Sequence, residues 1–171
     1  MGPLARREKG RSNERQLAID ASMTEYIAFR VATATYAIAV SLVREIVRTA
    51  HITPVPRAPA AVMGITSFRG RIVTIVDLGR RLGLACAVLP EPEDTPTGPA
   101  SRVRILMIDV GSETVGLLVD EVLMVHRLGA NDIERATHAV GPDVDRHVAG
   151  IARPGDGSQV ILLLDAKALV A

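Results

Sequence analysis

Gly64-Ile65-Thr66-Ser67-Phe68-Arg69-Gly70-Arg71-Ile72-Val73-Thr74-Ile75-Val76-Asp77-Leu78 sets the reading of this chain. Arg69-Gly70 is a turn signal between two β-prone runs, and the second run, Ile72 to Val76, is strongly β-branched. The stretch therefore reads as a tight hairpin feeding that strand. Gly64 and Gly70 suit positive φ or a close approach of another backbone. Gly79 to Leu84 is expected to form one short helical turn.

Working towards the N-terminus, Ile52-Thr53-Pro54-Val55-Pro56 reads as an edge or connector, because its prolines remove ladder donors. Val43 to Val47 leads into it. Tyr26 to Val31 and Thr35 to Val40 form a hairpin, although Ala32-Thr33-Ala34 lacks the Gly, Asn or Asp expected of its turn. Residues 1–22 mix Arg, Glu, Lys, Ser and Asn without apolar periodicity, so they are read as a flexible charged leader. The folded domain is expected over 23–171.

Towards the C-terminus, the segment 89–100 is rich in Pro, Glu and Asp and is read as a loop between the halves of the chain. Val103 to Val110 and Thr114 to Val119 form a second hairpin, and Val122 to Leu128 continues extended. A third hairpin turns at Pro154-Gly155-Asp156-Gly157, and Ala166 to Ala171 closes the chain as a helical turn. About ten short strands without a long amphipathic stripe point to an all-β protein of small barrels rather than a βαβ fold. Two barrels fit the length better than one sandwich, and no repeat of fixed period is visible.

Composition narrows the function classes. The chain has 171 residues, 48% of them hydrophobic, with 20 Lys+Arg against 19 Asp+Glu. A net charge of +1 gives no field to draw in nucleic acid or an anionic membrane. Tyr26, Phe29, Tyr36 and Phe68 are its only aromatics, too few for base-stacking platforms. Cys86 stands alone, so no internal disulfide forms and a reducing cytosol is the expected compartment. No apolar run approaches the roughly 18 residues of a membrane span, so no direct membrane insertion is expected.

The chemistry-bearing residues read blandly. The common phosphate-binding and acyl-transfer motifs are absent. His51, His126, His138 and His147 lack paired metal-ligand spacing, so no metal is expected. Cys86 is a small apolar residue without an electropositive neighbour. Asp77, Asp109, Asp120 and Glu121 sit at strand ends, where carboxylates satisfy backbone N–H groups. No catalytic residue and no cofactor are assigned; the alternative is a small ligand-binding or enzymatic β-barrel using its turn His and Asp residues. Gly116 interrupts the β-branched strand Val115 to Val119, as a bulge, a barrel corner or a groove floor that admits a partner. Arg69 is either a solvated charge or a side chain that binds a partner or orients Glu45.

The stretch from Gly64 to Leu78 resembles the central motif of the CheW-like coupling proteins of bacterial chemotaxis. Three other stretches agree in order: Tyr36 to Ile46 with Ile52-Thr53-Pro54-Val55-Pro56, then Val115 to Val122, then Val148-Ala149-Gly150-Ile151 with Ile161 to Asp165. The resemblance implies two intertwined five-stranded SH3-like barrels, no catalysis, and a groove between the barrels for the cytoplasmic tip of a chemoreceptor. It further implies the regulatory domain of a CheA-type histidine kinase as partner, self-association in array rings, and a cytoplasmic place at membrane-associated receptor arrays. By position in the motifs, Val43, Gly64, Arg69 and Gly116 are expected to form the receptor or kinase groove, with Glu45 pairing Arg69. The chain departs from the family at Ser67-Phe68, where Asn-Leu is usual, at Thr74 in place of Pro, and at Gly79 in place of a frequent Arg.

Overall fold

The computed structural model describes residues 22–48, 50–84, 102–135 and 146–171, together with Arg11, Arg15 and Leu17. The rest of the leader up to residue 21, the Pro-rich segment 89–100, Cys86 and His138 lie outside the described residues. The strands are β1 (Thr24–Val31), β2 (Ala34–Ala39), β3 (Val43–Val47), β4 (Val62–Phe68), β5 (Arg71–Asp77), β6 (Arg104–Val110), β7 (Glu113–Val119), β8 (Glu121–Leu128), β9 (Ile133–Arg135), β10 (Val148–Ala152) and β11 (Ile161–Leu164). Among the described residues, the short helices α1 (Leu78–Arg81) and α2 (Ala166–Val170) follow β5 and β11.

These strands make two sheets, one ordered β8-β1-β2-β11-β10-β9 and the other β3-β6-β7-β5-β4. Each sheet curls until its edges meet through the chain. In the five-stranded sheet the segment leaving β3 returns at Thr53 to exchange backbone hydrogen bonds of 2.8 and 2.9 Å with Ile65 of β4. In the six-stranded sheet the edges β8 and β9 are joined by the 3-10 turn Ala130–Asp132. The first barrel thus carries one strand more than the five expected, the three-residue β9.

The barrels are interleaved. The hairpin β1–β2 belongs to the first, but the next strand, β3, joins the second beside β6. The hairpin β6–β7 belongs to the second, and the next strand, β8, returns to the first beside β1. The chain passes from barrel to barrel after β2 and after β7, whereas the elements flanking segment 89–100 both belong to the second barrel. In sequence, that segment links two strands of the same sheet.

A repeat emerges from this topology. Val62-Met63-Gly64-Ile65 of β4 and Val148-Ala149-Gly150-Ile151 of β10 both carry a register shift immediately before the glycine. An aspartate at the end of each hairpin partner or just beyond it, Asp77 or Asp165, then accepts backbone N–H from the first turn of the following helix. The glycine-to-aspartate spacing differs between the copies, which hides the repeat from a search for a fixed period.

Alternation along the strands divides the core into three layers. Ala28, Ala37, Ala152, Ile161 and Leu163 fill the first barrel, and Val73, Ile75, Ile105, Met107 and Leu118 fill the second. The intervening residues of the same strands face a shared layer between the barrels, where Phe29, Tyr36 and Ile38 meet Leu106, Ile108 and Leu117. Burial on both faces explains why β6 and β7 read as almost unbroken apolar runs. The poorly signalled turn after β1 is fixed from outside: Ala32 takes φ +54, and its N–H donates to the Asp120 carboxylate at 2.8 Å.

Candidate protein-interaction surface

The surface is built on β3, an edge strand paired only with β6. Val43 is half-buried against the shared layer, in company with Val40, Leu42, Val110 and Val122. Two residues on, Glu45 meets the tip of the β4–β5 hairpin. There Arg69 and Gly70 take φ +49 and +77, the type I′ geometry that a two-residue hairpin favours. The turn aims Arg69 back across the gap between the two sheet edges. Its Nε and Nη2 donate to the same Glu45 oxygen, Oε2, at 3.0 and 2.6 Å. The side chain of Arg69 is 69% exposed, so the pair contributes at most about 1 kcal/mol to stability. The expected Glu45–Arg69 contact is present in the fold, and Phe68 joins it by placing its ring 5.5 Å from the guanidinium carbon.

Gly64 and Gly116 lie apart from that pair, inside the second barrel. Gly64 takes φ +151, and a Cβ there would fall 2.2 Å from the carbonyl oxygen of Thr53. This is the close backbone approach that the sequence anticipated. Gly116 pairs with Met107 on one side and Ile75 on the other without a break in register, which excludes a bulge. A Cβ at Gly116 would meet Ile75 Cδ1 at 2.5 Å and Ile105 Cγ2 at 2.9 Å, so core side chains occupy the space a groove would need. Both glycines shape the barrel from within, and Val43, Glu45 and Arg69 present themselves towards its outside.

Two recesses flank this surface. A cleft of about 360 Å³ opens where the first barrel meets the β6–β7 turn, lined by Tyr26, Leu42, Val110, Ile133 and Leu163, with Asp109 and Lys167 among its polar groups. Another, of about 410 Å³, lies at the mouth of the second barrel between Val47, Ala50, Ile65, Phe68 and Ile72. Ile72 is 69% exposed beside it. Among the described residues, no group of three or more His, Cys, Asp or Glu is placed to hold a metal ion. No helix among them is long and apolar enough to cross a membrane.

Of the strand-end carboxylates, Asp77 and Asp120 accept backbone N–H groups as expected, from Arg80 and Ala32. Asp109 and Glu121 instead pair with arginines. Arg44 of β3 holds Asp109 of β6 at 2.9 Å, and Arg30 of β1 holds Glu121 of β8 at 2.6 Å. The two pairs occupy corresponding places in the two barrels with their charges exchanged, a relation visible only once the strands are paired.

Hydrogen bonds from Arg44 and Thr114 hold the Asp109 carboxyl below the ordinary carboxylate range. Burial acts the other way on Asp77 and raises its pKa, although the Arg80 N–H partly opposes the shift. The signs differ accordingly. The contribution of Asp109 is complete above the unfolded-state carboxylate range and is lost as pH falls through its lowered pKa. The cost of ionising Asp77 is absent in acid and grows as pH rises from that range to its raised pKa. Asp109→Asn should therefore flatten the acid side of a melting-temperature profile, and Asp77→Asn should flatten the segment just above the ordinary range. Thermal melts across pH 2 to 7 check both, and a steeper acid limb in Asp109→Asn would contradict the assignment.

Comparison with known proteins places this architecture. The family model for the CheW-like domain matches residues 25–171. The chemotaxis protein CheW of Rhizobium meliloti is 34% identical over 139 residues, covering 81% of this chain and 83% of that protein. Protein FrzA of Myxococcus xanthus is 30% identical over 147 residues, covering 85% and 84%. Among solved structures, the scaffolding protein TtCheW of Thermoanaerobacter tengcongensis superposes with a TM-score of 0.72 at 26% identity, covering 86% of this chain and 92% of that one.

Proposed function

The chain belongs to the CheW-like domain family, and from that premise we propose that it is a non-enzymatic adaptor coupling the cytoplasmic tips of chemoreceptors to the regulatory domain of a CheA-type histidine kinase. The observation that carries this reading is the extent of the family match, which takes in both barrels from residue 25 to 171. Such a role needs shape and exposed apolar surface and no reactive group. The cleft between the barrels, the edge strand β3 and the exposed Ile46 and Ile72 offer surface of that kind. Val43, Glu45 and Arg69 are its outward contacts, and Gly64 and Gly116 keep the second barrel in the shape that presents them. The adaptor works in the cytoplasm at receptor arrays, where weak pairwise contacts gain strength through multivalency.

Co-sedimentation of the purified full chain with a receptor signalling fragment and the cognate kinase tests this reading. The wild type should join the complex and raise kinase activity. Arg69→Ala and Glu45→Ala, whose surface pair adds little to folding, should each join it less well by several-fold at unchanged melting temperature. A wild type that joins neither partner would remove the reading.

A further inference from the structure

An arginine at a hairpin tip is ordinarily a free, solvated side chain, yet three features restrain Arg69. Its backbone is left-handed at φ +49, Glu45 accepts two of its hydrogen bonds, and the Phe68 ring lies 5.5 Å from its guanidinium carbon. Phe68 is itself restrained, because it packs on the second barrel's core of Val73, Ile75, Ile105 and Met107 and lines the recess at its mouth. Both bonds from Arg69 end on Oε2 of Glu45. Arg69 Nη1 and Glu45 Oε1 have no partner among the described residues, leaving the two N–H groups of Nη1 and one carboxylate oxygen for a further contact.

We infer that Phe68 is a positioning residue for Arg69: its ring lies over one side of the guanidinium and helps keep it tethered to Glu45, so that Nη1 meets an acceptor on the protein partner without first losing side-chain freedom. This role rests on the adaptor reading above. An arginine loses rotamer entropy whenever a contact fixes it, and a restraint already present in the free protein removes that cost from binding. Leucine, the residue usual in the family at this position, packs on the same core and offers no π face to a cation. Phe68 would thus set this chain's partner preference apart from that of relatives with leucine there.

The test uses the full chain and two readouts. In ¹H–¹⁵N spectra of the free protein, the Arg69 Nε–H should be displaced from the other exposed arginines by the ring current and the Glu45 bond. Phe68→Leu should move it back towards them, and Phe68→Tyr should leave it in place. In co-sedimentation with receptor fragment and kinase, Phe68→Leu should weaken binding about two- to five-fold, the range of an exposed cation–π contact, while Phe68→Tyr restores it. In an Arg69→Ala background, Phe68→Leu should have no further effect on binding. An Arg69 resonance indifferent to Phe68→Leu overturns the proposal whatever the partner does, and so does a displaced resonance with unweakened binding. A wild type that binds neither partner overturns the adaptor reading and this role together, and is recognised because the parent protein itself fails.

Discussion

Alanine at Gly64 is expected to destabilise the protein by on the order of 3 kcal/mol or more. A Cβ at that position would lie 2.2 Å from the carbonyl oxygen of Thr53 and 2.8 Å from Ile52 Cγ2, on a backbone held at φ +151. The obstructing oxygen belongs to main chain that cannot rotate aside, and it accepts the Ile65 N–H in the bridge that joins the edges of the second barrel. Either β4 moves away or the segment at Thr53 is released, and both open the barrel mouth. Gly70→Ala is the control. Gly70 has φ +77 with nothing within 4 Å of a Cβ, so it should lose only the left-handed backbone preference, about 1 kcal/mol. Urea denaturation of both variants settles the comparison, and a Gly64→Ala that lost no more than Gly70→Ala would discard the close-approach account. Under the proposed adaptor role, a Gly64→Asp variant that lost coupling would report on folding before it reported on contact if Gly64→Ala proves the more damaging of the two.

What the sequence revealed of this fold follows from how local each signal is. Arg69-Gly70 specifies a hairpin by itself, and β4 and β5 fall on either side of it as read. The first hairpin was legible from its β-prone runs, but its turn depends on Asp120, 88 residues away from Ala32. No property of Ala32-Thr33 announces that support. Strand interchange was equally hidden, because the pattern of a strand does not record which sheet receives it. β3 looks the same whether it continues the first barrel or crosses to the second.

The candidate site divides in the same way. Glu45 and Arg69 were paired through the family pattern alone, since nothing near either residue places an edge strand beside a hairpin tip. Gly116 left two readings open from sequence, and only the side chains of Ile75 and Ile105 show why the strand needs a glycine there. Phe68 was noted as a departure from the family and as one of few aromatics. Its neighbour in the sequence was Arg69 all along, but adjacent residues of a strand normally point to opposite faces. The contact arises because Arg69 lies in the turn with a left-handed backbone, which leaves its guanidinium carbon 5.5 Å from the centre of the Phe68 ring.

Phe29→Ala carries the second large effect, because it strikes the layer that both barrels share. Phe29 is fully buried on β1, opposite Tyr36 of β2 and Val122 of β8, and it faces the layer supplied from the other sheet by Leu106, Ile108, Val115 and Leu117. The first barrel has a smaller core of its own to fall back on. Its interior sets Ala28, Ala37 and Ala152 beside Leu128, Ile161 and Leu163, where the second barrel has Val73, Ile75, Val103, Ile105, Met107 and Leu118. Truncating a buried phenylalanine costs about 3–5 kcal/mol, a large share of the 5–15 kcal/mol that typically holds a domain together. If the shared layer is the principal core, the loss should appear in both barrels. Denaturation should remain a single transition at lower denaturant, and hydrogen-exchange protection should fall in β6 and β7 as much as in β1 and β2. Protection lost only from the six-stranded barrel, or a split into two transitions, would mean that each barrel stands on its own interior.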